Sequence, residues 1–164
     1  MLQPLVRRTW APRGQTPEII RSSRHDRISV ITAITISPKR RRLGLYFAPH
    51  RENINAEKSI AFLRQLRRQT GTELVVVWDR LNAHRTAARI LTEQSDAFRF
   101  HWLPPYAPEL NPVEQVWSHA KCGPLANLAP SDVDELHECV CVALDAERQS
   151  TLLHSYFRHA GLKL

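Results

Sequence analysis

Two carboxylates, Asp79 and Glu114, stand where an ionisable group could do chemistry. Asp79 ends the run Glu73-Leu74-Val75-Val76-Val77-Trp78, and the polar segment Arg80-Leu81-Asn82-Ala83-His84-Arg85 follows at once. Ligand sites in α/β sheets collect at the carboxyl ends of strands, so an aspartate there is well placed. Taken alone, it could equally begin a turn or cap the next helix. Glu114 comes after a segment with four prolines, Pro104, Pro105, Pro108 and Pro112, that leads stiffly from a strand into a helix. In a first helical turn, a glutamate also complements the helix dipole with no catalytic task. What joins the two acids is position: 34 residues separate them, and both follow a strand edge that could bring them to one end of a sheet.

The elements that must position them follow from periodicity. Arg27–Ile36 is rich in β-branched residues, with Ile28, Val30, Thr32, Ile34 and Ile36 on one face, which predicts a strand. The basic turn Ser37-Pro38-Lys39-Arg40-Arg41-Arg42 returns it into a second strand, Leu43–Ala48, closing a hairpin. Ala56, Ile60, Leu63 and Leu66 recur at helical spacing, with Asn55 able to cap the start and Gly71 the end. The run before Asp79 is too continuously apolar for a half-exposed strand and predicts a central one covered on both faces. A helix over Thr86–Glu93 and a strand over Phe98–Leu103 come next, followed by a helix from Pro112 and another from Ser131, the latter with Val133, Leu136, Val140, Ala143 and Leu144 on one stripe. Hairpin, helix, strand, helix, strand and helices make an α/β plan with a mixed central sheet. The segment Arg7–Pro17, with two prolines and a glycine, reads as a loop or irregular hairpin.

A chain of 164 residues, 43% hydrophobic, can bury one real core, so residues 1–164 are expected to form one domain. No apolar run reaches the roughly eighteen residues of a membrane span, and Met1-Leu2-Gln3-Pro4-Leu5 lacks a signal peptide's apolar stretch, which predicts a soluble, intracellular protein. Three cysteines, with Cys139 and Cys141 on nearly opposite faces of a helix, suggest neither a disulfide framework nor a zinc site. The charge is uneven. Residues 1–70 hold 15 Lys and Arg against 4 Asp and Glu, a net of +11, whereas residues 71–164 hold 8 against 12, a net of −4. The basic half is where a polyanion would lie, although a solubilising surface has the same composition.

The motifs together resemble a known family. The pairing of Val75-Val76-Val77-Trp78-Asp79-Arg80-Leu81-Asn82-Ala83-His84 with Leu103-Pro104-Pro105-Tyr106-Ala107-Pro108-Glu109-Leu110-Asn111-Pro112-Val113-Glu114-Gln115-Val116-Trp117 resembles the DDE transposases of bacterial insertion sequences in the mariner-like superfamily. The 34-residue spacing is similar to theirs, and so is the loop Arg8-Thr9-Trp10-Ala11-Pro12-Arg13-Gly14-Gln15-Thr16-Pro17. The resemblance runs from about residue 3 to about residue 126. It implies a ribonuclease-H-like fold in which three carboxylates hold two divalent ions, with Asp79 as the second acid and Glu114 as the third. Such chemistry needs an activated water or 3′-hydroxyl on one side of the phosphodiester and a stabilised leaving oxygen on the other, which two metals about 3.5–4 Å apart provide. Hard oxygen ligands suit Mg²⁺ or Mn²⁺. Asn82 and His84 occupy the family's polar turn, where they would orient a metal ligand or the phosphate, or serve structure alone.

The family's first aspartate lies on the first strand, shortly before the Trp-Ala-Pro-Arg-Gly loop. Residues 1–25 contain one carboxylate, Glu18, which follows the loop, and Asp26 would open the next strand instead. The expectation is therefore a catalytic domain lacking its first strand and first acid as well as the family's upstream helix-turn-helix, with an open edge on the Ile28–Ile36 strand and little or no activity alone. The alternative is a non-catalytic DNA-binding remnant that modulates the intact enzyme. By resemblance the partners are transposon-end and target DNA, an upstream transposase segment supplied separately or by frameshift, and a second copy in a homodimer, with a cytoplasmic, nucleoid-associated location. DNA contact is expected from Arg40, Arg41 and Arg42 in the hairpin turn and from Arg64, Arg67 and Arg68 on the first helix. Trp10, Trp78, Trp102 and Trp117 are expected to be core or loop anchors.

Overall fold

The computed structural model describes Arg8, residues 10–15, Glu18 and residues 27–163; Asp26 and parts of the opening loop lie outside the described residues. Two strands, β1 (Ser29–Ile36) and β2 (Leu43–His50), pair antiparallel from Ser29 opposite His50 to Ile36 opposite Leu43. Ser37 organises the turn between them. Its hydroxyl accepts from the backbone N–H groups of Arg41 and Arg42 at 3.2 and 3.1 Å, and Arg40 adopts a left-handed φ of 52°. Arg40, Arg41 and Arg42 are all exposed.

Helix α1 (Ala56–Thr70) starts and stops as its sequence predicts. The Asn55 side chain accepts from Lys58 N–H at 2.9 Å, and Gly71, at φ 67°, donates its N–H back to Arg67. Its buried face is Ser59, Phe62, Leu63 and Leu66, turned slightly from the predicted stripe. The chain then forms β3 (Leu74–Trp78), α2 (Asn82–Gln94) and β4 (Phe98–Trp102), with β3 and β4 parallel and Trp78 opposite Trp102. This strand, helix, parallel strand unit is the crossover that a parallel pair requires.

Two cores sit on opposite faces of the hairpin. Ile28, Val30, Ile34, Leu43, Leu45 and Phe47 face α3 (Pro112–Cys122), α4 (Val133–Ala146) and α5 (Ser150–His159), with Val116, Val140, Leu144 and Leu153 at 0% exposure. Ile31, Ala33, Tyr46 and Ala48 face the other way, into a core shared by α1, α2 and the inner faces of β3 and β4. The hairpin is thus covered on both sides. Its pattern of apolar residues on both parities permits this.

Several expectations need correction. The strands do not form one mixed sheet among the described residues; they form two separate pairs. β3 is not covered on both faces either: Leu74, Val76 and Trp78 pack inward, while Val75 and Val77 are 64% and 57% exposed. The β-branched run satisfies strand propensity on both faces, but only one face meets the layer of α1 and α2. Helix α2 begins at Asn82 rather than Thr86, so Asn82 and His84 lie in its first turn. Helix α4 is capped by Asp132, whose side chain accepts from Asp134 and Glu135 N–H; Ser131 instead donates to the Glu135 carboxylate. Trp10 is fully exposed, against its expected role as an anchor, and Trp102 is 36% exposed. Helix α5 has no counterpart among the elements expected from periodicity.

Candidate functional site

Asp79 follows directly on β3. The backbone there is fixed by Leu103 N–H donating to the Trp78 carbonyl at 2.7 Å, which ties the end of β3 to the exit of β4. One carboxylate oxygen, Oδ1, accepts from Leu81 N–H at 3.2 Å and lies 2.5 Å from His84 Nδ1. The His84 ring is stacked on Trp78, with centroids 4.1 Å apart and planes 6° apart. Helical periodicity explains the meeting: an imidazole in the first turn of α2 reaches back over the loop to the strand end from which the helix departs. The stack fixes the ring plane and the carboxylate fixes its Nδ1 side, so Nε2 is the nitrogen left for another partner. Asp79 remains half exposed, its side chain at 49%, and among the described residues only Oδ1 is engaged. Oδ2 therefore has its lone pairs available.

Glu114 lies in the first turn of α3 and is exposed. Pro112 takes the first helical position, and Asn111 caps the helix by accepting from Val113 N–H at 3.2 Å. Before it, Pro108–Leu110 forms a single 3₁₀ turn, so the proline-rich segment has a defined path rather than an open loop. The glutamate side chain has no hydrogen-bond or ion-pair partner among the described residues. Asp79 thus precedes α2, which packs beside the inner core of β3 and β4, and Glu114 lies in the first turn of α3, against the other face of the hairpin. No three His, Cys, Asp or Glu side chains come together as a metal-binding group among the described residues.

Asn82 is exposed in the first turn of α2. Of the arginines on α1, Arg64 donates to Gln94 Oε1 at 2.5 Å and Arg67 sits over the Phe98 ring at 5.9 Å, so both also hold α1 against the α2 and β4 unit; Arg68 is exposed. Sequence reasoning misses Arg80, Arg85 and Arg89, which line a groove of about 710 Å³ with Phe100 and Trp102. The signal is present in the spacing of Arg85, Ala88, Arg89 and Thr92, one face of a helix, but Arg85 joins it only once the true start of α2 is known.

No helix is long and apolar enough to cross a membrane among the described residues. No curated protein and no solved structure matches the chain. Residues 1–137 match the family model of the DDE superfamily endonucleases, transposase-type nucleases that act on DNA and generally use divalent metal ions. That span contains both strand pairs, Asp79 and Glu114, and the mixed α/β arrangement of small sheets flanked by helices fits a ribonuclease-H-like fold. The chain belongs to the DDE superfamily endonucleases.

Proposed function

We propose that this chain is the catalytic domain of an insertion-sequence transposase of the mariner-like kind, cutting and joining DNA strands at transposon ends, with Asp79 and Glu114 as its second and third acids. The observation that carries the reading is the Asp79–His84–Trp78 arrangement at the end of β3, inside the span that matches the DDE endonucleases. A carboxylate with one oxygen held by a stacked imidazole and the other free is a preorganised oxygen ligand, and such outer partners set ligand orientation. Mg²⁺ or Mn²⁺ suits these donors and would supply the charge that stabilises the attacking and leaving oxygens.

Two carboxylates do not fill a two-ion site. Among the described residues neither Asp79 nor Glu114 has a further acidic or imidazole ligand beside it that would complete one, apart from His84, which is already engaged with Asp79. A third acid is therefore required, on a strand pairing between β1 and β3, each of which has a ladder partner on one edge only among the described residues. The 164 residues by themselves are then inactive or nearly so. Arg40, Arg41 and Arg42, exposed on a rigid turn, and Arg68 on α1 would hold the phosphate backbone, with Arg64 and Arg67 at its margin. The second reading, a DNA-binding remnant that modulates an intact enzyme, draws on this same basic turn together with the incomplete acid set.

Cleavage of transposon-end DNA with Mg²⁺ or Mn²⁺ tests the reading, using the 164 residues alone and with an aspartate-bearing strand supplied upstream. Activity in the second case only, abolished by Asp79→Asn and by Glu114→Gln, supports it. Metal-dependent cleavage by the 164 residues alone, abolished by Asp79→Ala, sinks the claim of inactivity. DNA binding with no cleavage in either form selects the remnant.

A further inference from the structure

The groove between α2 and β4 has no part in holding the two acids, and its lining is chemically specific. Arg80 follows Asp79 in the chain, and Arg85 and Arg89 project from one face of α2. Ala88 and Thr92 leave room between them, and the floor is Phe100 and Trp102. Glu93 is the one acid in the lining, and Arg89 already neutralises it at 3.3 Å. Arg80 and Arg85 have no acidic partner among the described residues. Arg80 and Arg85 are therefore the cations of the lining that an anionic ligand would meet first, with Arg89 shared between that ligand and Glu93.

We infer that this groove holds a single strand of DNA, with one unstacked base lying on the Trp102 indole and the neighbouring phosphates held by Arg80, Arg85 and Arg89. That the polymer is DNA rests on the DDE reading above; that it is single-stranded rests on the groove. Trp102 is 36% exposed and lines the same cleft as Arg80, Arg85 and Arg89. A duplex keeps its bases stacked on each other and presents phosphates outward, so it would meet the arginines and never the indole. A single strand can use both, because every base has a π face and stacking on an aromatic ring is tolerant of sequence. Trp102 extends the inner face of β4, on which Phe98 and Phe100 stack at 6.4 Å, and Phe100 stacks on Trp78 at 6.0 Å. Since Trp78 carries the His84 ring that holds Asp79, the groove and the acid share one aromatic support. A strand running along α2 would thereby pass directly from the groove to the end of β3.

The experiment is fluorescence anisotropy of the 164-residue protein in metal-free buffer, with a labelled single-stranded oligodeoxynucleotide of about ten nucleotides and a duplex of the same sequence as competitor. The single strand is expected to bind more tightly than the duplex. Trp102→Ala should weaken it about tenfold or more, and Trp102→Phe should retain most of the affinity while losing tryptophan quenching on binding. Changing Arg80 and Arg85 together to Ala should reduce the slope of log affinity on log salt by about 1.4, at roughly 0.7 for each single-strand phosphate no longer neutralised. Glu93→Gln should tighten binding. Unchanged affinity in Trp102→Ala and in the double arginine variant overturns the inference, as does equal competition by the duplex. If an Arg40, Arg41 and Arg42 to Ala variant abolishes all single-strand binding while the groove variants bind as wild type, the strand lies on the hairpin turn; the inference fails and the transposase reading stands. Because no metal or cleavage enters the assay, loss of the catalytic reading leaves these outcomes unaffected.

Discussion

Glu147 is the most deeply buried ionisable group in the described structure, 1% exposed at the junction of α4 and α5, and replacing its partner Tyr156 by Phe tests what the carboxylate contributes. Its Oε2 accepts from the Tyr156 hydroxyl on α5, and its Oε1 lies 2.8 Å from His119 Nδ1 on α3. One carboxylate therefore ties three helices together. Tyr156→Phe removes a single oxygen and leaves the ring in the core, so packing changes little. What disappears is a hydrogen bond to a buried carboxylate, about 1.5–3 kcal/mol. For a domain of this size each kcal/mol moves the midpoint by about 2–4 °C, so melting should fall by roughly 4–8 °C for a destabilisation near 2 kcal/mol. His119→Ala should cost less, under about 1 kcal/mol, because the imidazole is 52% exposed and water can replace it at Oε1.

Urea unfolding measures both variants, and the slope with denaturant should stay constant if each substitution acts on the native state alone. The double variant should show coupling above about 0.5 kcal/mol, since both donors act on one carboxylate. The alkaline limb gives an independent readout. Burial first, then the hydrogen bond to Glu147 and the charge of that group, push the Tyr156 phenol well above its ordinary value of 10.0. A raised value means that the neutral form is favoured in the fold; this stability is full below pH 10 and is lost as the pH climbs through the folded value. Tyr156→Phe should flatten that limb. A Tyr156→Phe protein within about 0.5 kcal/mol of wild type, or a larger destabilisation from His119→Ala, would mean that the Tyr156 hydroxyl is not the main support of the Glu147 carboxylate.

Three further outcomes follow from the local chemistry. His50 has a buried Nε2 with no hydrogen-bond partner among the described residues, and burial, then Lys58, lower its pKa from 6.5 against the opposing effect of Glu52. Stability from neutral His50 is therefore full above pH 6.5 and lost as pH falls through the lower folded value, and His50→Phe should remove that dependence from urea midpoints taken across the range. Gly71→Ala places a side chain at φ 67° with open space around its Cβ, so about 1 kcal/mol of backbone strain should appear with no packing penalty, measurable as a melting shift. His84→Phe keeps a ring on Trp78 but removes the imidazole partner of Asp79 Oδ1, leaving only the Leu81 N–H there; the fold should survive by circular dichroism while cleavage by a form carrying all three acids drops about 10–100-fold.

The parts of the fold that are legible in the sequence are those whose signals are local. Asn55 and Gly71 announce the ends of α1 because capping depends on a few neighbouring groups, and the hairpin is legible because strand, basic turn and strand alternate within 22 residues, from Ser29 to His50. The start of α2 is hidden because Leu81 at its cap makes no side-chain bond, leaving no marker before Asn82. Helix α5 has the same defect: Gln149 makes no side-chain cap, and its buried residues Leu153, Tyr156 and Phe157 are interleaved with His154, Ser155 and Arg158. Whether Val75 and Val77 are covered cannot be read from their own run, because coverage depends on which other element lies against that face.

The candidate site divides in the same way. Asp79 is legible because a carboxylate ending an apolar strand is a local pattern, and Glu114 because prolines and Asn111 mark the helix start that holds it. The contacts of His84 are not, since they depend on α2 starting at Asn82, which brings an imidazole back onto Trp78 and Asp79. The place of Arg85 in the groove depends on the same fact. With α2 beginning at Thr86, Arg85 would belong to a loop and its relation to Arg89 would carry no meaning; with α2 beginning at Asn82, the two sit one turn apart beside Trp102. Moving one helix start from Thr86 to Asn82 therefore changes a polar loop into the structure that holds Asp79 and lines the adjoining groove. This makes the first turn of α2 the most informative place to perturb: a proline at Ala83 disfavours the helical backbone of Asn82 before it and should leave the cores intact yet displace His84; loss of both single-strand binding and metal-dependent cleavage by a form carrying all three acids, with either retained alone counting against it, would establish that the two depend on one helical turn.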